Sequence, residues 1–171
     1  MTCLFITFLI HSQLKIHNSK RNLLFVCYDA KDFGKGNIIM ITKGIKELCA
    51  EAESEIETLS AEEVKRALKR PDTKLIDIRD IRELWREGAI PNAIHAPRGM
   101  LEFWVDPNSP YHKKLFATGE KFIFFCAGGM RSALAAQTVQ NMGLKPVAHM
   151  AGGYGAWVKA GGETEEKKPK D

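Results

Sequence analysis

The chain lacks the cysteine and histidine patterns of a zinc site or a disulfide framework. Its four cysteines, Cys3, Cys27, Cys49 and Cys126, lie far apart with no Cys-x-x-Cys pair, and its five histidines are equally scattered. Such sites need closely spaced or convergent ligands, so we expect neither a metal nor a cofactor. Widely spaced single thiols are typical of a reducing compartment, which favours a cytoplasmic location.

Basic clusters and long apolar runs are also missing. The net charge is only +4 and the lysines and arginines are spread along the chain, which argues against a nucleic-acid partner. The apolar run at residues 3–10 is far shorter than the ~20 residues of a membrane-spanning helix. It also lacks the basic start and the small-residue cleavage site of a signal peptide, so we expect no membrane partner.

Regular patterning begins only at Met40. Residues 1–39 show no sustained helical or strand period, and we interpret them as a doubtful N-terminal extension, with translation starting at Met40. A weak membrane-targeting segment is the alternative. Over residues 40–54, apolar side chains spaced three and four apart predict an N-terminal helix, which Thr42 is placed to cap.

From residue 55 to residue 161, predicted strands alternate with predicted helices. Strands are expected at 56–59, 74–78, 93–96, 121–125 and 146–150, and helices at 60–70, 81–87, 132–142 and 155–159. Alternation of this kind predicts an α/β fold with a parallel sheet, whose ligands bind beyond the carboxyl ends of the strands. The charged segment 162–171 is predicted to be a disordered tail.

The segment from Cys126 to Ser132 carries the chemistry. It connects an apolar strand to a helix and contains Ala127, two adjacent glycines, Gly128 and Gly129, then Met130 and Arg131. Glycines allow successive backbone N–H groups to converge, and the helix start and Arg131 add positive charge. A cysteine in such surroundings reacts as a thiolate. We therefore predict Cys126 as the nucleophile and the residues that follow it, Ala127 to Ser132, as the substrate-binding loop.

The other cysteines do not share this context. A lone cysteine at a strand end is often only a small buried hydrophobic residue, and this is the alternative for Cys126. Cys49 lies on the apolar side of a predicted helix, where we expect a structural role. Cys3 and Cys27 fall in the doubtful extension and are assigned no function.

Three segments together resemble the rhodanese homology domain. The first, Leu75–Asp80, is similar to that family's strand-end block; the second is the Cys126 loop, and the third is Gly152–Trp157, similar to its C-terminal Gly-Gly-aromatic-x-Ala-Trp signature. The resemblance covers about residues 56–161. It departs from the family pattern at Ala89 and Asn92, in a turn away from the expected site.

This resemblance implies a five-stranded parallel sheet flanked by helices on both faces, and a sulfurtransferase reaction. Cys126 is expected to take a sulfane sulfur from a small anionic donor, such as thiosulfate or a persulfide, and to hold it as a persulfide. A thiol or cyanide, or a protein acceptor, then takes the sulfur. Asp77 and Arg79 are expected to support the loop as an ion pair, with a surface salt bridge as the alternative. Ala127 stands where many thiosulfate-using members have a basic residue, which leaves the donor open.

Two other functions remain alternatives. A Cys-dependent phosphatase or arsenate reductase has a related loop, but only four residues separate Cys126 from Arg131 here, where phosphatase loops place five. The shorter loop suits a sulfur atom better than a phosphoryl group. A non-catalytic binding or redox-sensing module is the second alternative, since an accessible low-pKa thiol is also readily oxidised.

Overall fold

Strands and helices alternate along the part of the chain that the computed structural model describes, residues 41–169. The strands are β1 (Glu57–Leu59), β2 (Thr73–Asp77), β3 (Ile94–His95), β4 (Lys121–Phe125) and β5 (Val147–Met150). The α-helices are α1 (Ile45–Glu55), α2 (Ala61–Ala67), α3 (Ile81–Glu87), α4 (Leu101–Val105), α5 (Met130–Asn141) and α6 (Gly153–Lys159), and short 3-10 helices span Arg98–Met100 and Lys114–Ala117. The predicted extension 1–39 lies outside the described residues.

The five strands form one parallel sheet in the order β1-β5-β4-β2-β3. This confirms the predicted α/β fold. Asp77, the last residue of β2, is in register with Phe125, the last residue of β4. Asp77 and Cys126 therefore lie at the same edge of the sheet, at the carboxyl ends of neighbouring strands.

Helices cover both faces of the sheet because side chains alternate along the strands. In β4, Phe122 and Phe124 pack on one side with residues of α1, α4 and α5. Ile123 and Phe125 pack on the other side with residues of α2 and α6. The apolar run of β4 is thus buried on both faces, as expected for a central parallel strand.

Capping residues set the ends of several helices. Both Ser60 with Glu63 and Asp80 with Glu83 form complete capping boxes, which begin α2 and α3. Helix α1 begins after Gly44 and has no side-chain cap, so Thr42 does not have the predicted capping role. No helix within residues 41–169 is long and apolar enough to cross a membrane.

The start of the C-terminal tail differs from the predicted disorder. Glu165 exchanges two backbone hydrogen bonds of 2.8 Å with Ala89, and the Trp157 indole N–H donates to the Glu163 carbonyl at 2.8 Å. A buried indole N–H needs an acceptor, and this tail supplies it. The charged composition of residues 162–171 did not reveal these contacts, because they are made by the backbone.

Candidate active site

The connection between β4 and α5 places Cys126 against the amino end of a helix. Cys126 follows β4 directly and is 1% exposed. The Gly129 N–H donates to its Sγ at 3.2 Å. Gly129 has a φ of 99°, and a side chain there would meet the Gly152 nitrogen at 2.9 Å. Glycine is therefore required at this position, where the turn directs a backbone donor at the sulfur.

The third sequence motif holds the other side of this loop. At the start of α6, the Tyr154 N–H donates to the Cys126 carbonyl at 2.7 Å and the Gly155 N–H donates to the Ala127 carbonyl at 3.0 Å. Gly153, with a φ of 54°, has no room for a side chain because its Cβ would collide with the Cys126 carbonyl oxygen. The first two loop carbonyls are thus occupied by α6, and two of the three resembling segments meet at Cys126.

Arg131 is held by a carboxylate from α3. Its two terminal nitrogens donate to the Glu83 oxygens at 2.7 and 2.8 Å. The bond from Arg131 lowers the pKa of Glu83 to about 2, and the same bond, together with negative charge at Cys126, raises the pKa of Arg131. Both groups are therefore charged near neutral pH, and the carboxylate offsets the positive charge that the sequence placed beside the loop.

Asp77 and Arg79 form a fully buried ion pair. Arg79 is 0% exposed and Asp77 1%, and the guanidinium donates to the carboxylate at 2.7, 3.0 and 3.1 Å. It also donates to the Gly88 carbonyl at 2.9 Å. The alternative of a surface salt bridge is therefore wrong. Burial of this kind requires that both charges keep their partners.

This ion pair reaches the loop through aromatic side chains. The Arg79 guanidinium stacks over the Tyr154 ring, 4.1 Å from its centre, and lies 5.7 Å from the centre of the Phe125 ring. Phe125 precedes Cys126, and the backbone of Tyr154 binds the Cys126 carbonyl. Neither Asp77 nor Arg79 has a hydrogen bond to Cys126, so the predicted support of the loop would act through these two aromatic residues.

The remaining predicted loop residues divide into a rim and a floor. Ala127, Gly128 and Met130 reach solvent. Ser132 is completely buried, and its hydroxyl donates to the Gly129 carbonyl at 2.8 Å. The Ser132 side chain thus points into the protein, away from the face on which a substrate would bind.

Sequence reasoning did not assign roles to two residues at this site. Glu83 binds Arg131 through both carboxylate oxygens, and His149 lies beneath the loop. His149 is completely buried, 3.5 Å from the Ser132 hydroxyl. A signal for it existed, since it is the one polar residue of the otherwise apolar strand β5.

The arrangement is suited to holding a negative charge on sulfur. A backbone N–H already contacts Sγ, a twelve-residue helix begins four positions after Cys126, and its N-terminus carries partial positive charge. Bound carbonyls and buried side chains fix the loop from below, while its rim is open. Such a site stabilises a thiolate, a persulfide anion or a small oxyanion.

Comparison with known proteins places this geometry in a family. The family model described as rhodanese-like domain matches residues 60–160. The chain is 30% identical over 101 residues to the mouse (Mus musculus) thiosulfate sulfurtransferase/rhodanese-like domain-containing protein 3, spanning 56% of this chain and 64% of that protein. The chain therefore covers somewhat less than two thirds of the length of this relative.

Solved structures are similar to it as well. A Rhodopseudomonas palustris protein of unknown function, described as a possible tyrosine phosphatase, is 53% identical with a TM-score of 0.72, covering 76% of this chain and 100% of its own. A thiosulfate sulfurtransferase from Pseudomonas aeruginosa is 29% identical with a TM-score of 0.61, covering 72% of this chain and 23% of its own. The sequence match over residues 60–160 and the shared fold show that the chain belongs to the rhodanese-like domain family.

Proposed function

We propose that the protein is a sulfurtransferase that carries a sulfane sulfur on Cys126. The observation that carries this proposal is the Gly129 N–H directed at the Cys126 sulfur at 3.2 Å, at the start of α5. An N–H group placed there stabilises the Cys126 thiolate before the reaction and the persulfide anion after it. Membership in a family that includes thiosulfate sulfurtransferases supports the same reaction.

The reaction has two balanced steps. The Cys126 thiolate attacks the outer sulfur of the donor, a sulfur–sulfur bond forms, and the donor's own sulfur–sulfur bond breaks. Its electron pair leaves with sulfite or, for a glutathione persulfide, with the glutathione thiolate. An acceptor thiolate or cyanide then attacks the outer sulfur of the Cys126 persulfide and releases the Cys126 thiolate. In both steps the attacking group is an anion, so no general base takes part in the bond exchange.

The charges at the rim favour a persulfide over thiosulfate as donor. Arg131 is paired with Glu83 at 2.7 and 2.8 Å, and the position after the nucleophile is Ala127. A dianion such as thiosulfate gains less from such a charge-balanced rim than from an unpaired cation. The reacting group of a persulfide carries a single negative charge, so its binding depends less on that attraction.

The similarity to a possible tyrosine phosphatase makes phosphoryl transfer the second candidate. Loop length argues against it, since four residues separate Cys126 from Arg131. In addition, the pairing of Arg131 with Glu83 places a carboxylate where a phosphoryl dianion would need an unopposed cation.

Steady-state turnover tests these alternatives. The protein is assayed with glutathione persulfide and with thiosulfate, each with cyanide or a thiol as acceptor, and separately with p-nitrophenyl phosphate. We expect sulfur transfer with the persulfide as the better donor and no phosphate release. Phosphate release without sulfur transfer would establish the phosphatase, and inactivity with all substrates would favour a non-catalytic module.

A further inference from the structure

A buried histidine lies beneath the loop and has no part in the reaction described above. His149 is 0% exposed, and in the sheet it is in register with Thr58 of β1 and Phe124 of β4. The other residues of β5 are apolar and buried. A buried imidazole destabilises the fold unless its ring nitrogens have hydrogen-bond partners. The partners of its two ring nitrogens therefore indicate its role.

Both ring nitrogens of His149 have polar neighbours. Nε2 lies 3.1 Å from the Thr58 hydroxyl, and Nδ1 lies 3.5 Å from the Ser132 hydroxyl. Burial is the largest influence on its pKa, which is lowered, while Glu53 and a hydrogen bond to the Gly129 carbonyl oppose this shift. A neutral ring with its proton on Nδ1 fits this arrangement. Thr58 then donates to Nε2, and Nδ1–H points at Ser132 and Gly129.

These contacts converge on the carbonyl of Gly129. That oxygen accepts the Ser132 hydroxyl at 2.8 Å and the Ala133 N–H at 3.0 Å. In a trans peptide the C=O and the following N–H point in opposite directions. Holding the Gly129 carbonyl towards the helix therefore directs the Met130 N–H out of its amino end, beside the Gly129 N–H that contacts Cys126.

We propose that His149 is a positioning residue for the Cys126 loop, acting through Ser132 on the peptide between Gly129 and Met130. By fixing this peptide it keeps the Met130 N–H directed out of the amino end of α5, on the side where the Gly129 N–H contacts the Cys126 sulfur. The proposal rests on the proposed function for its catalytic consequence. The effect on the reactivity of Cys126 does not depend on which donor the protein uses.

Two substitutions of His149 separate positioning from packing. His149→Leu fills the space without a donor, whereas His149→Asn retains an N–H near the position of Nδ1. We expect His149→Leu to lower kcat/KM for sulfur transfer about tenfold, the scale of a modest misplacement of reacting groups. We expect the rate of Cys126 alkylation by iodoacetamide to fall by a similar factor in His149→Leu. In His149→Asn, kcat/KM and the alkylation rate should both be close to the wild-type values.

A second pair of variants tests the proposal even if the His149 variants do not fold. Ser132→Ala removes the hydroxyl that lies between His149 and the Gly129 carbonyl. Thr138→Val is the matched control: the Thr138 hydroxyl is in the same helix and donates to the Leu134 carbonyl, also at 2.8 Å. We expect Ser132→Ala to slow alkylation of Cys126 and Thr138→Val to leave it unchanged, at comparable urea midpoints. Equal alkylation rates for these two variants, or a folded His149→Leu with wild-type rates, would overturn the proposal. If no sulfur donor is turned over but alkylation follows this pattern, the proposed function fails and the positioning role stands.

Discussion

Two buried cysteines lie near the start of α5, and their surroundings are opposite. Cys126 is 1% exposed and its sulfur faces the Gly129 N–H at 3.2 Å. Cys49, on α1, is 7% exposed and its thiol faces the Met130 carbonyl at 3.8 Å. Burial, followed by the charges of Glu53 and Cys126, raises the pKa of Cys49.

From these surroundings we expect the reactivity of the two thiols to follow the order opposite to their exposure. By exposure alone, Cys49 would be the more reactive. The backbone dipoles give the reverse order, because a carbonyl oxygen stabilises the protonated thiol whereas an N–H group stabilises the thiolate. A strand-to-helix loop with glycines provides the N–H groups, and a helix face provides none.

The largest effect is expected on removal of the Cys126 sulfur, with removal of the Cys49 sulfur as the control. Cys126→Ser should lower the rate of sulfur transfer about a thousandfold or more, since the covalent intermediate is lost. Cys49→Ser should leave the rate within about twofold, because that side chain contacts no reacting group. Turnover of glutathione persulfide measures both. Comparable losses in the two variants would contradict the distinction between the cysteines.

Loss of the buried ion pair is expected to lower the free energy of unfolding and so to expose Cys49. Arg79→Met leaves the Asp77 carboxylate buried without its cation, which destabilises the fold by about 3–5 kcal/mol. Cys49 then becomes more accessible to alkylation as partly unfolded molecules accumulate. Urea unfolding checks the stability loss, and Arg82→Met, which removes an exposed partner of Asp80, is the control that should leave the midpoint nearly unchanged.

Alkylation rates measure the difference between the two cysteines directly. At pH 7 we expect iodoacetamide to modify Cys126 about a hundredfold faster than Cys49. Peptide mapping measures the modification at each site. The pKa of Cys49 is raised above its ordinary value of 9.0, so its small thiolate fraction grows about tenfold with each pH unit in this range. The alkylation rate of Cys49 is therefore expected to rise steeply with pH. A faster reaction at Cys49 at pH 7 would refute the account.

The smallest effect is expected at the rim of the Cys126 loop. Glu83→Gln removes the negative partner of Arg131 while leaving Cys49 in its surroundings. We expect kcat/KM for thiosulfate to rise about threefold to tenfold relative to that for glutathione persulfide, and the gain to shrink at high salt. An unchanged ratio of the two donors would remove the electrostatic argument for persulfide preference.

Much of this site follows from local sequence patterns. The apolar run before Cys126, the glycine pair and the helix after it predict a strand, a turn and a helix start, and the structure places all three there. The parallel sheet follows from the alternation of elements. These features depend on neighbouring residues, whose periodicity and turn preferences are visible in the sequence.

The missed features all depend on distant residues. Glu83 and Arg131 meet because α3 and α5 follow the neighbouring strands β2 and β4. His149 lies below the loop because β5 is between β1 and β4. Only the order of strands in the sheet creates these contacts, and spacing along one chain does not determine that order.

The site of sulfur attachment tests the central claim most directly. The protein is treated with glutathione persulfide, its mass is measured intact, and the modified peptide is identified, for wild type and for the Cys126→Ser and Cys49→Ser variants. The account predicts a gain of one sulfur atom on Cys126, present in Cys49→Ser, absent in Cys126→Ser, and removed by a thiol acceptor. Sulfur on Cys49 in the wild-type protein, or an adduct that persists in Cys126→Ser, would contradict it.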